Sequence, residues 1–318
     1  MKGTWSIGVD IGYTNTRVAK VLDGHIVKVL RFPTDVPGGP RGVIEQVGSA
    51  VRTLQEEETS APSGVGVGIA GQVDIRRGLV RYGSNLWWRD EPFEALLSEA
   101  TGLPVVLRND VVMATAGEWQ HGAGKGAKDL VCLFVGTGIG GGAVVNGALL
   151  DGSTGCGGHF GHISVQMDGP ACTCGRRGCV EAYAGGSSVA RRARTALMED
   201  LTIRSALRTM SEGRPDRIDS RMVAAAANEG DAFALEVRDE MVAALSSAVA
   251  SVINSLNPEK VVLGGTVLNG FPGLYDRVVE GSLASVPATR AERAEHRSRI
   301  PRGPGRSGRR RYTGPLMS

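Results

Sequence analysis

No apolar run in this chain approaches the ~18–20 residues that a membrane-spanning helix needs, so no span is expected. The opening, Met1-Lys2-Gly3-Thr4-Trp5, has neither an apolar core nor a small-residue cleavage site, so no secretory leader is read. Both absences point to a cytoplasmic protein. A Gly-x4-Gly-Lys-Ser/Thr motif is also missing, which excludes a P-loop nucleotide site. Cysteine is sparse, five in 318 residues, and in a reducing compartment those five are not expected to form disulfides. Acidic excess is lacking overall, with a formal net charge of +3, but that figure is uneven. The segment 287–318 holds nine Arg against two acids, so it carries +7 and leaves −4 on the rest. A faintly acidic body gives no reason to expect specific nucleic-acid binding. Glycine is plentiful, 46 residues against a usual share of ~7%, which implies many tight turns or loops that approach a ligand closely.

The length suits two domains. Residues 6–21 alternate apolar and polar around Gly12-Tyr13-Thr14-Asn15, which predicts strand, polar turn, strand. Residues 130–145 repeat the device around Gly136-Thr137-Gly138, and Asn146-Gly147 follows as a hairpin signal. Helical spacing marks 41–54, the neighbourhoods of 181–196 and 219–229, and a long run over 231–256 that Asn257-Pro258 stops. Two α/β lobes are therefore expected, over 1–120 and 121–286, each aiming its Gly/Thr turn at one ligand across a cleft. The 287–318 tail lacks apolar periodicity and reads as disordered or divergent.

Four groups of residues carry candidate chemistry. Asp10, at the end of a buried strand, is placed to hold Mg²⁺, with Gly12, Thr14 and Asn15 available to phosphate oxygens; an ordinary polar hairpin explains the same residues. Gly136-Thr137-Gly138 sits in a G-x-G-x-x-G run, but a strand rather than a helix follows, so it is read as a second phosphate loop and not a dinucleotide fingerprint. Asn109-Asp110 joins a strand to a helix; it reads as a general base in a cleft or, more simply, as a helix cap, and spacing alone favours the cap. His162, Cys172, Cys174 and Cys179 have the residue types and glycine-rich spacing of a closed structural zinc site, whose four protein ligands leave no position for a water. Cys132 lies in an apolar strand and is assigned to the core, whereas His159 and Glu181 flank the zinc set.

Together these motifs resemble the ROK family of bacterial sugar kinases and repressors. The resemblance runs from residue 6 to about 286 and includes Gly71-Gln72-Val73-Asp74, Asn85-Leu86, Gly161-His162 and Gly264-Gly265. It implies the two-lobed actin-like (RNase H-like) ATPase fold with a central cleft. It also implies ATP with Mg²⁺ as cofactor, a structural Zn²⁺, and a homodimer or homotetramer. The phosphate loops would be Asp10–Asn15 and Gly136–Gly138, with Gly264 and Gly265 near the adenosine. Asp110 would be the catalytic base, and Gly71, Asn85, Asn109, His159, His162 and Glu181 would face the sugar.

Two departures from the family pattern stand out. His159 replaces the usual Glu of Glu-x-Gly-His, as in bacterial N-acetylmannosamine kinases, so N-acetyl-D-mannosamine is the expected acceptor and glucose the alternative. The Arg-rich end replaces a small-residue helix. A sugar-responsive repressor or non-catalytic sensor is disfavoured, because only nine residues precede Asp10, too few for a helix-turn-helix.

Overall fold

The computed structural model describes residues 4–83 and 86–287. Asn85 and the segment from residue 288 onward, and with it the expectation for the tail, lie outside the described residues. The chain's described residues divide into two compact units, one of 4–126 with 149–158, the other of 127–148 with 159–287. Among the described residues no helix is long and apolar enough to cross a membrane.

The first unit is built on a five-stranded sheet. In chain order it uses β1 (Trp5–Ile11), β2 (Asn15–Leu22), β3 (His25–Pro33), helix α1 (Gly39–Gln55) and β4 (Val65–Ile69). A small three-stranded sheet follows, of β5 (Gln72–Asp74), β6 (Leu79–Gly83) and β7 (Trp88–Glu91). Helix α2 (Phe93–Thr101), β8 (Val105–Asn109) and α3 (Asp110–His121) complete the unit. The main sheet runs β3-β2-β1-β4-β8, with β1, β4 and β8 parallel. Alternation puts Ile7, Val9 and Ile11 on one face, where they join Val43, Val47, Val51 and Leu54 of α1 in a closed core. Ser6, Gly8 and Asp10 fall on the opposite face, so the period of two presents Asp10 away from that core.

The second unit repeats the plan. β9 (Leu130–Val135) and β10 (Ile139–Val145) pair antiparallel, and Asn146 and Gly147, both at positive φ (51° and 73°), turn the chain into β11 (Ala148–Leu149). Helices α4 (Val180–Ala184), α5 (Gly186–Glu199), α6 (Leu207–Met210), α7 (Ser220–Asn228) and α8 (Ala232–Leu256) follow. Next come β12 (Lys260–Gly264), α9 (Thr266–Gly270) and α10 (Leu274–Ala284). β12 lies parallel to β9, as β4 does to β1. Asp231 caps α8 through the Ala234 N–H at 2.9 Å, and Asn257 ends it in the left-handed region. The helical signal near 181–196 resolves into two helices, because Gly185 takes an extended ψ of 135° between α4 and α5.

One segment breaks the simple division. After β11 the chain leaves its own sheet, and residues 149–158 pack on the first unit. Gly155 sits so close to the Val73 carbonyl that a Cβ would lie 2.6 Å from it, and Asp151 lies 3.4 Å from Arg108.

Candidate active site

In the first unit the register decides what meets. Ile11, Ile69 and Asn109 are in line across β1, β4 and β8, so the turns that follow these strands emerge at one sheet edge. This brings Asp10, the Gly12–Asn15 turn, Gly71 and Asn109-Asp110 together. The turn is closed by the Gly12 N–H to the Asn15 carbonyl, and the Thr34 hydroxyl donates to the Gly12 carbonyl at 2.7 Å. Tyr13 and Thr14 are exposed at its tip. Asn15 opens β2, and its side chain accepts from Arg31.

At Asn109-Asp110 the geometry assigns the cap. Asn109 is the cap: its side-chain oxygen accepts from the Val111 and Val112 N–H groups at 3.0 and 3.2 Å, and its amide donates to the Gly71 carbonyl at 3.0 Å. Asp110, the first helical residue, is thereby free of capping duty. Burial pushes its carboxyl above the ordinary carboxylate range and the nearby Asp10 charge adds to this, while N–H donors at Val111 and Asn109 oppose it. Asp10 is also raised by burial, against the pull of Arg17, whose guanidinium is 2.8 Å away. Arg17 was not singled out from sequence, although it faces Asp10 directly across the β1–β2 ladder.

In the second unit the four expected zinc ligands converge. The ligand atoms of His162, Cys172, Cys174 and Cys179 lie within 4.8 Å of one another. The Cys172 Sγ–His162 Nδ1 and Cys174 Sγ–Cys179 Sγ separations are both 3.7 Å. Zinc–sulfur bonds of ~2.3 Å in a tetrahedron give edges of about 3.8 Å, so the four residues fit that ion. All the cysteines are free thiols. The four donor groups crowd one another electrostatically. Burial and the neighbouring thiols push Cys179 up to about 12. Cys174, although burial opposes it, is held at about 7 by the Arg176 N–H, the Cys172 thiol and the Arg176 side chain. Arg176 also donates to the His162 carbonyl at 2.9 Å. A dication would relieve this crowding.

His159 begins the short turn that carries His162, and the two rings lie nearly parallel, 6.4 Å apart at 10°. Nδ1 of His162 is on the thiol side, which leaves Nε2 for another partner. The Gly136–Gly138 turn projects from β9, with Thr137 exposed. Gly265, at φ 108°, packs where a Cβ would be 2.3 Å from the Val135 carbonyl oxygen, so only glycine brings β12 so near the start of that turn. Glu181 accepts from the Ile139 N–H at 2.8 Å and from Thr173 at 3.3 Å, two contacts that the sequence did not announce.

Comparison with known proteins now adds weight. The description "ROK family" matches residues 6–297. The chain is 38% identical to the glucokinase of Thermotoga maritima over 289 residues, 89% of this chain and 90% of that protein. It is 32% identical to the N-acetylmannosamine kinase of Citrobacter koseri over 290 residues, 89% and 90% of the two chains. Among solved structures, a ROK family glucokinase from Streptomyces griseus in complex with glucose and AMPPNP superposes with a TM-score of 0.73 at 31% identity, covering 93% of this chain and 92% of that one. With the mixed α/β architecture of both units, these matches give the fold as the actin-like ATPase fold. The chain belongs to the ROK family.

Proposed function

We propose that this protein is an ATP-dependent kinase that phosphorylates the 6-hydroxyl of a hexose or N-acylhexosamine. The observation that carries this is Asp110: a carboxylate with raised pKa, at the C-terminal edge of the parallel strands, relieved of capping by Asn109. The names of the relatives, glucokinase and N-acetylmannosamine kinase, and the glucose and AMPPNP held by the Streptomyces griseus protein support the reaction class.

Asp110 accepts the proton of the acceptor hydroxyl as that oxygen attacks the γ-phosphorus and ADP leaves. Its raised pKa makes it a better proton acceptor than an exposed aspartate. Asn109 fixes the strand-to-helix junction, so the carboxylate is held before the substrate arrives. The Gly12–Asn15 and Gly136–Gly138 turns, with Gly264-Gly265 beside the latter, hold the nucleotide. Asp10 is the carboxylate that would hold Mg²⁺, which supplies charge neutralisation to the phosphates. In the second unit His162, held by the zinc-ligating loop, and His159 and Glu181 are the residues that would face the sugar; in the first unit Gly71 and Asn109 would do so.

The acceptor we propose is N-acetyl-D-mannosamine, on the evidence of His159. A carboxylate there would accept from two hydroxyls; a neutral imidazole accepts one hydrogen bond and donates one, which suits a different hydroxyl pattern beside an N-acyl group. A second reading, glucose, is favoured by a separate observation, the higher overall identity to the Thermotoga maritima glucokinase (38% against 32%). Competition between the two sugars for limiting ATP decides. Faster consumption of N-acetylmannosamine supports the first reading, and faster consumption of glucose replaces it with the second.

A further inference from the structure

We propose that Glu181 is a positioning residue for the nucleotide side of the reaction, tying the Gly136–Ile139 turn to the zinc-ligating loop. This rests on reading that turn as a phosphate loop. It is a role additional to the sugar-facing one that the family resemblance gives Glu181.

The start of α5 holds one side of the turn. Its Gly136 and Thr137 carbonyls accept from the Gly186 and Ser187 N–H groups at the start of α5, at 2.8 and 2.9 Å, and its Gly138 carbonyl accepts from Gly136 at 2.9 Å. The Ile139 N–H, where the turn re-enters the sheet, goes to Oε2 of Glu181 at 2.8 Å. That oxygen lies against the bare Gly138 backbone, and a Cβ there would be 2.6 Å from it. The other carboxylate oxygen, Oε1, accepts from the Thr173 hydroxyl and lies 3.9 Å from the Cys172 sulfur. Glu181 is also in the first turn of α4, two residues past the ligand Cys179, whose backbone opens that helix. At the far end of α4, Gly185 donates back to the Glu181 carbonyl, and Gly186 follows as a partner of the turn. One short helix thus begins at a zinc ligand and ends at the phosphate loop, with Glu181 bridging the same two features through its side chain. A charged acceptor makes this a strong bond, and its loss strands a part-buried N–H.

The test uses the full-length protein and its Glu181→Ala, Glu181→Gln, Thr173→Val and Thr137→Ala variants. Hydrogen exchange at the Ile139 amide is followed without ligand, and binding of Mg²⁺ with AMPPNP is measured calorimetrically without sugar. Glu181→Ala is expected to speed exchange at Ile139 at least tenfold and to weaken the analogue about tenfold, since the α5 anchors remain. Glu181→Gln keeps an acceptor oxygen and restores most of both. Thr173→Val, which leaves the carboxylate in place, gives an intermediate rise in exchange, and it carries the test if Glu181→Ala does not fold. Wild-type exchange and analogue affinity in Glu181→Ala, with only sugar binding weakened, would overturn the proposal. If Thr137→Ala loses the analogue while Glu181→Ala does not, the phosphate loop stands and the proposal falls. Unchanged affinity in both removes the phosphate-loop reading and the proposal together.

Discussion

Asp110→Asn separates chemistry from folding more cleanly than any other single change. The substitution keeps shape and leaves Asn109 capping α3 through Val111 and Val112. It costs the favourable interaction of a negative charge with the helix N-terminus, ~0.3–1 kcal/mol. It also removes the burial penalty of an ionised carboxylate beside Asp10, which acts in the opposite direction. Tm should therefore stay within ~2–4 °C of wild type, the equivalent of ~1 kcal/mol in a domain of this size. Activity should fall ~10²–10⁴-fold in kcat, because the proton acceptor is gone. The pH dependence has a definite sign. Asp110 is raised in the folded state, so ionising it costs stability as pH climbs through its folded pKa. The variant escapes that cost, so its Tm should rise relative to wild type as pH climbs from the unfolded-state carboxylate range through the folded pKa, with no such pH-dependent gain below that range. Wild-type kcat/KM should rise with pH through the same pKa and then level off. Coupled ADP release and scanning calorimetry, both across pH, give the two readouts. Near-wild-type kcat would refute the role of Asp110, and a collapse in Tm would show that it is structural.

Other expectations are independent of that one. Asn109→Ala loses the cap and the bond to Gly71, so Tm should drop by roughly 3–6 °C, measured by calorimetry, and kcat should fall with it. Purified protein should carry about one zinc per chain by elemental analysis, and Cys174→Ser should lose the metal. Acceptor affinity should weaken in that variant, because Nδ1 of His162 is on the ligand side; full activity without zinc would count against the site. His159→Glu should shift kcat/KM toward glucose by about ten- to hundredfold, the value of one charge-assisted hydrogen bond to a sugar hydroxyl. An unchanged preference would remove His159 from acceptor choice.

Where a signal was local, the sequence carried it. The paired strand-turn-strand devices, the Asn146-Gly147 hairpin and the capped run at 231–256 each state their structure within a few residues, and the zinc set declares itself by residue type and spacing. Asn109-Asp110 was ambiguous for a physical reason: capping and catalysis use the same residue types at the same junction. Only the hydrogen-bond geometry shows that Asn109 is the cap, which leaves Asp110 for the catalytic role proposed. The small β5–β6–β7 sheet was not legible, because strands of three to five residues offer too few alternations. The path of 149–158 onto the first unit was equally hidden. It depends on Gly155 fitting under Val73, a contact between residues far apart in the chain. Glu181 belongs to the same class, since its partners at Ile139 and Thr173 are brought to it by the fold.

The most direct test is what the protein does to a hexose in the presence of Mg²⁺ and ATP. Phosphorus and proton NMR of one reaction containing equal glucose and N-acetylmannosamine reads both the bond formed and the acceptor chosen. The expected result is a 6-phosphate ester, formed faster on N-acetylmannosamine and absent with Asp110→Asn. No sugar phosphate from either hexose, or an Asp110→Asn variant that makes it at the wild-type rate, would contradict the account.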